Sequence, residues 1–418
     1  MDRALHVYVD LGGQAHLVGR LWARRSDRRE SATFEYDKTW LENSQRFALE
    51  PALTLDPGPH HTTAGHALFG AIGDSAPDRW GRLLIQREER RRARAENRTP
   101  HSLGEADYLL GVGDFARQGA LRFSVEEGGE FLRPQKADSI PPLVSLGKLL
   151  GAAMRISASK ESDHDLQLLL APGSSLGGAR PKASVIDNDG RLAIAKFPQP
   201  DDDWPVTIWE AVALELAHQA GIPVSNWRIE HVQSRSVLLL SRFDRDGAAR
   251  IPFLSAMSML GAMDNQPHSY LELVDALRQH GSQPEADTAQ LWRRIVFNIL
   301  ISNTDDHLRN HGFLYDGKIG WQLSPAYDLN PMPIDIRPRI LSLAIDEVDS
   351  TASLELAFDV AKQFGVKSEQ ARKIAHEVGS AVSSWRKVAS RLGLTGKQIT
   401  RMESAFEHDD LRIACRAG

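Results

Sequence analysis

Residues 303–330 read NTDDHLRNHGFLYDGKIGWQLSPAYDLN. The stretch places a carboxylate at Asp305, an amide five positions on at Asn310, and a second carboxylate at Asp328 after a hairpin-like segment. A base that receives a hydroxyl proton must stand beside the attacking oxygen, and Mg²⁺ ligands must stand a few ångströms away beside phosphate oxygens. One short, rigid loop supplies the first two groups. The segment FLYDGKIGWQL, with Asp316-Gly317 as its turn signal, carries the chain out and back, so that Asp328 returns to face the same loop. Asp, Asn and water suit Mg²⁺, which prefers oxygen and keeps part of its hydration shell.

This is the metal-and-base arrangement of a kinase active site, where phosphoryl transfer is mostly positioning and charge neutralisation. A triphosphate brings several negative charges, so a basic side chain on a fixed strand is expected. Lys196, at the end of the strand-like LAIAK, is the candidate, and Glu210 on the amphipathic segment IWEAVALELAHQAGI is expected to hold it. That segment reads as a helix closed by Gly221. The preceding loop, Gly173 to Lys182, reads either as a phosphate cradle, with Gly177 and Gly178 permitting close approach, or as an ordinary surface turn. Its spacing matches neither a Walker loop nor G-x-G-x-x-G. SVLLLSRFDRD reads as a buried strand leading to a charged turn, and AQLWRRIVFNILISN as a helix entering the catalytic stretch.

Toward the N-terminus, residues 3–36 alternate apolar and polar positions around Gly12-Gly13, which predicts a hairpin and a third strand. LRFSVEEGGEFLR predicts another hairpin, and the polar, Pro-bearing stretch after it a linker, with a domain boundary near 136–145. Beyond residue 250 the pattern is mostly helical.

The chain has 418 residues, which favours two to three domains. Its formal net charge of −5 argues against a broad basic face for nucleic acid. The local exception, QREERRRARAENR at 86–98, holds six Arg against three Glu. It reads as a solvated helix with internal ion pairs or, alternatively, as a patch for phosphates or an acidic partner. One cysteine, Cys415, excludes an internal disulfide. No stretch approaches membrane-spanning length, and MDRALHVYVDLGG lacks a leader-like apolar run, so a cytoplasmic protein is expected.

Two patterns are set aside. Gly111 to Ala116 imitates a dinucleotide fingerprint, but the strand-like ALRF follows where a helix should open. His307 and His311 have the spacing of a helical zinc pair but lack the Glu after the first His.

Together, SSLGGARPK, AIAKF, LLLSRFDR, NTDDHLRN and PAYDLN resemble the HipA family of bacterial toxin-antitoxin kinases, and FGAIGDSAPDRWGRLL and YLLGVGDFARQGALRF resemble that family's N-terminal domain. The resemblance implies an α+β chain with a two-lobed protein-kinase-like fold. The N-lobe would cover 146–245 and the mostly helical C-lobe 246–418, preceded by a small α+β N-terminal domain over 1–135. It implies that Asp305 is the catalytic base, that Asn310 and Asp328 are the metal ligands, and that Lys196 binds phosphate. Gly177, Gly178, Ala179 and Lys182 would form the nucleotide loop, and Ser241, Arg242 and Phe243 the hinge that meets adenine through backbone groups. Ser241 departs from the acidic residue often found there. His307, Arg309 and Tyr327 would complete the nucleotide site.

The resemblance further implies ATP and Mg²⁺, a HipB-like helix-turn-helix antitoxin with DNA bound through it, and growth control through a protein substrate such as a translation factor or aminoacyl-tRNA synthetase. Ser175 falls on the autophosphorylated serine, with Ser174 as a competing acceptor. A phosphate there would add up to about two negative charges to a loop that faces phosphates, and should act as an off switch. Two other readings remain: an ATP-dependent small-molecule kinase or AMP transferase, and a catalytically weak co-repressor or scaffold.

Overall fold

The computed structural model describes residues 3–26, 29–132, 140–173, 178–317 and 320–417. The chain divides into two compact units: Met1–Asp202 with Glu230–Leu254, and Asp203–Ile229 with Ser255–Gly418.

The first unit is built on two antiparallel sheets. One comprises β1 (Arg3–Leu11), β2 (Gln14–Ser26), β3 (Arg29–Tyr36), β4 (Pro59–His61) and β5 (Leu121–Ser124), in the order β4-β3-β2-β1-β5. Its opening hairpin is the expected one: Leu11 pairs with Gln14, and Gly12 and Gly13 both take positive φ (61° and 87°), as a two-residue turn matched to strand twist requires. The second expected hairpin forms only in part. Phe131 makes an isolated bridge to Ser124, and Leu132 N–H donates to the Phe123 carbonyl, after which residues 133–139 lie outside the described residues.

The other sheet holds β6 (Lys182–Ile186), β7 (Leu192–Lys196), β8 (Trp227–Val232) and β9 (Arg235–Ser241), in the order β6-β7-β9-β8. β9 reads VLLL at its centre because that run is buried. Val185, Ala195 and Leu239 from this sheet share one core with Leu149, Leu150 and Ile156 of the helix Leu146–Ser157 and with Leu169 of the helix Asp163–Gly173. Trp80 and Leu84, from the helix Arg79–Ala95, complete that core. The Arg-rich run lies at the far end of the same helix and carries ion pairs within itself, while Arg87 pairs outside it with Glu161 (2.5 Å). Glu88 accepts from Arg91 (2.8 Å) and Arg92 (2.7 Å), and Glu89 from Arg98 (2.5 Å).

The second unit is mostly helical. Its long helix Pro284–Leu300 opens with Pro at its first position and acidic Glu285 and Asp287 in the first turn, both suited to a helix N-terminus. Leu291, Trp292, Ile295 and Ile299 then recur at helical spacing and are buried. The helix Val206–Gln219 is buried over most of its length and packs against the helices Ser368–Ser383 and Trp385–Arg391. Trp385 stacks on Phe406 at 4.5 Å, with Trp209 beside both.

A hairpin of Gly312–Tyr315 and Trp321–Leu323 follows the long helix. Tyr315 pairs with Trp321, so the expected hairpin forms and Asp316-Gly317 falls between its paired strands. Gly317 takes the left-handed conformation there (φ 78°). No helix among the described residues is long and apolar enough to cross a membrane.

Candidate active site

The helix Pro284–Leu300 delivers the chain into the site. It ends at Ile301, and Ser302 turns left-handed (φ 52°), held by its hydroxyl donating to the Ala405 carbonyl. Asn303, fully buried, donates its amide to Asn298 Oδ1 at 3.0 Å, which ties the outgoing loop back to the helix it left.

The next residues split by environment. Asp306 is buried, and its Oδ2 accepts from the Tyr270 hydroxyl (2.5 Å), Asn298 Nδ2 (2.8 Å) and His311 Nε2 (2.9 Å). Burial alone would push its pKa up; the nearby His311, with the bonds from His311 and Tyr270, outweighs that and holds it below the ordinary carboxylate value. The same carboxylate adds to burial in pushing the Tyr270 hydroxyl well up. The Asp305 side chain is 56% exposed and faces outward, with Oδ1 2.9 Å from Arg337 Nη1. Asn310, on a short 3-10 turn, donates Nδ2 to the Asp305 carbonyl at 3.0 Å. That bond commits the amide nitrogen and leaves Oδ1 as the atom suited to a cation.

Asp328 reaches the site from the hairpin. Arg294 Nη2 donates to the Ser324 carbonyl (2.5 Å), and Ala326 N–H to the Pro223 carbonyl, fixing the strand's exit. The Tyr327 hydroxyl then donates to the Arg309 carbonyl at 2.8 Å, and Asn330 N–H to Asn303 Oδ1 at 3.4 Å, so both ends of the Asp328 turn are tied to the loop that carries Asp305. Asp328 itself is left-handed (φ 56°), a conformation Asp tolerates better than most residues, with its carbonyl accepting from Asn330 Nδ2.

No group of three His, Cys, Asp or Glu side chains suited to a metal ion occurs among the described residues. One carboxylate at Asp328 and one amide oxygen at Asn310 are ligand types that would suit Mg²⁺, with water and phosphate oxygens completing its shell. Among the described residues, His307 and His311 belong to no group of three or more His, Cys, Asp and Glu side chains that could hold a metal ion. Arg309 turns its guanidinium to Asp264, and its carbonyl accepts from the Tyr327 hydroxyl.

In the first unit, Lys182 and Lys196 are directly opposite each other in the β6/β7 register, and both are buried. Residues paired this way share a face of the sheet. Gly178 is left-handed (φ 87°) and donates N–H to Asp78 Oδ2 at 2.7 Å, while Ala179 is exposed. Gly177, Ser174 and Ser175 lie outside the described residues. Ser241 pairs with Ala193 on β7, and Phe243 packs 6.1 Å from Phe253. The Arg242 side chain is buried against Asp244, so only its backbone is available to a ligand. Glu210 is buried on the helix Val206–Gln219 in the second unit.

Sequence reading missed Asp306, Tyr270, Asn298 and Asn303. The available signals were the doubled Asp in NTDDH and two Asn five apart across a helix end.

Comparison with known proteins bears on this arrangement. A curated relative from Sinorhizobium fredii, named "Putative kinase Y4mE", is 26% identical over 358 residues, covering 78% of this chain and 77% of its own. A second, from Haemophilus influenzae and named "Putative kinase", is 25% identical over 200 residues, covering 41% of this chain and 58% of its own. Among solved structures, HipA of Shewanella oneidensis MR-1, in a complex with HipB and operator DNA, superposes with a TM-score of 0.65 at 18% identity, covering 99% of this chain and 96% of its own. The fold is thus the α+β, two-lobed protein-kinase-like fold with a helical C-lobe and a small N-terminal domain. The model of the HipA N-terminal domain matches residues 8–113 and that of the HipA-like C-terminal domain residues 174–385, and with both in sequence order the chain belongs to the HipA family.

Proposed function

We propose that this chain is an ATP- and Mg²⁺-dependent serine/threonine protein kinase, the toxin of a toxin-antitoxin pair, acting on a cellular protein and on itself. The observation that carries the reading is the tie between the two segments of the second unit. Asn310 bonds the Asp305 carbonyl, and Tyr327 and Asn330 bond the same loop on either side of Asp328. A base and two metal ligands held by one hydrogen-bonded frame are what in-line phosphoryl transfer asks of a protein.

Asp305 is the carboxylate that meets the substrate hydroxyl and takes its proton, because Asp306 is occupied on Oδ2 by three donors. Asn310 Oδ1 and the Asp328 carboxylate would hold Mg²⁺, which when bound neutralises charge on the phosphates. Lys196, with Lys182 beside it, offsets further phosphate charge. Gly177 to Ala179 cover the phosphates, Ser241 to Phe243 meet adenine through backbone groups, and His307, Arg309 and Tyr327 frame the nucleotide. Ser175 is the autophosphorylation site. Residues 1–135, 146–245 and 246–418 serve as N-terminal domain, N-lobe and C-lobe.

The Shewanella protein's complex with HipB and operator DNA supports a HipB-like antitoxin as partner, with DNA reached through it. The substrate class is a translation factor or aminoacyl-tRNA synthetase, and the compartment the cytoplasm. Incubating the chain with γ-labelled ATP and a whole-cell lysate, then identifying the product by mass spectrometry, tests the reading. A phosphorylated seryl or threonyl residue on a protein supports it; AMP on the product, or label on a small molecule only, refutes it.

A further inference from the structure

Two motifs far apart in the chain, GDFARQGALRF at 113–123 and SRFDR at 241–245, interlock in the first unit. Asp244 is buried, and its carboxylate accepts from Arg242 Nε (2.6 Å) and Nη2 (2.5 Å), from Arg245 Nη1 (2.9 Å), and from the backbone N–H of Gly119 (2.8 Å). The two guanidiniums then reach past it to main-chain carbonyls of the facing loop. Arg242 Nη1 donates to Ala116 (3.1 Å), and Arg245 donates to Arg117 (2.6 Å) and Gly119 (3.1 Å). Gly119 has φ 71°, and a Cβ there would lie 3.3 Å from the Phe253 backbone nitrogen, so the loop approaches closely because it is glycine at that point. Burial opposes the Asp244 charge, but Arg242, Arg245 and the Gly119 bond outweigh it and hold the carboxyl well below its ordinary value.

The clasp sits at the end of β9, whose ladder to β7 runs Leu238 to Lys196 and Ser241 to Ala193, and is extended by Arg242 N–H to the Leu192 carbonyl. Fixing residues 242–245 therefore fixes the hinge backbone and the register of the strand that ends in Lys196. We propose that Asp244, Arg242 and Arg245 are positioning residues, through which the loop 114–120 sets the nucleotide-binding backbone at 241–243. The inference rests on the proposed kinase reading. It gives the side chains of SRFDR a task separate from touching ligand: buried ionic groups are retained here to specify one backbone geometry.

The test compares the full chain with Asp244→Asn, with Arg245→Lys, which keeps charge but loses the planar fork, and with Asp410→Asn, which breaks the Arg339 pair (2.6 Å) in the other unit. Amide hydrogen exchange is followed at 115–120 and 238–242, alongside affinity for Mg²⁺–ATP. Exchange is expected to quicken in both segments together in Asp244→Asn, and to a smaller extent in Arg245→Lys. The Mg²⁺–ATP dissociation constant should rise about tenfold for Asp244→Asn and stay unchanged for Asp410→Asn. Loosening of 115–120 alone, or affinity unchanged in both clasp variants, overturns the proposal. If the unmodified chain binds no Mg²⁺–ATP, the kinase reading fails instead; joint loosening of the two segments would then mark the clasp as structural only.

Discussion

Asp305 and Asp306 are neighbours in the chain and opposites in environment: the side chain of the first is 56% exposed, that of the second 3%. The backbone turns between them so that one carboxylate anchors the loop and the other is presented to solvent. Their substitutions should separate accordingly.

Asp306→Ala leaves the Tyr270 hydroxyl, the Asn298 amide and the His311 ring facing a cavity without an acceptor. Loss of a buried, charge-assisted acceptor costs about 3 kcal/mol or more. Denaturant unfolding should show this loss, with phosphotransfer abolished, while Asp305→Asn should unfold within about 1 kcal/mol of the native chain.

On the proposed reading, Arg337, paired with Asp305, would compete with the protein substrate for that carboxylate. The pair is half exposed on both sides, so its contribution to stability is small, about 1 kcal/mol or less. Arg337→Ala should leave the unfolding midpoint nearly unmoved and raise kcat/KM for the protein substrate by about two- to fivefold. Steady-state kinetics at low ionic strength check this, and a fall in rate would make Arg337 part of the catalytic apparatus.

Asn303→Ala removes the link between Asn298 and Asn330 and so loosens the C-terminal end of the Asp328 turn, while Tyr327 still holds the other end. The expected signature is a raised KM for Mg²⁺–ATP with a smaller drop in kcat, read from initial rates at varied Mg²⁺.

Glu50 supplies a pH dependence in the first unit. Burial raises its pKa to about 7, despite the bond it accepts from Ala71 N–H (2.5 Å). A carboxyl whose folded value lies above its unfolded value of 4.5 contributes stability that is complete below pH 4.5 and is lost as pH rises to about 7. The loss is on the order of 3 kcal/mol. Thermal unfolding between pH 4.5 and 8 should show it, and Glu50→Gln should flatten that slope.

What the sequence disclosed followed from local pattern. Alternation gave β1 to β3, LAIAK marked β7 to its last residue, and the Asp305, Asn310 and Asp328 spacing picked out segments that the fold ties together. Environment was not legible. Nothing local distinguishes Asp305 from Asp306, because the groups that bury the second come from Tyr270 and Asn298 on separate helices. SVLLLSRFDRD read as a strand leading to a charged turn, and the resemblance implied the hinge, but the partners of Arg242, Asp244 and Arg245 outside the motif lie 125 or more positions away in 115–119, beyond the reach of pattern. The Asp316-Gly317 signal was legible, and it falls between the paired Tyr315 and Trp321.

The most direct test of the account measures transfer of γ-labelled phosphate and binding of Mg²⁺–ATP in three proteins: the native chain, Asp305→Asn and Asp328→Ala. Transfer should be present only in the native chain, with Asp305→Asn binding Mg²⁺–ATP normally and Asp328→Ala binding it at least about tenfold more weakly. Undiminished transfer by Asp305→Asn, or full Mg²⁺–ATP affinity in Asp328→Ala, would contradict the assignment of base and metal ligand.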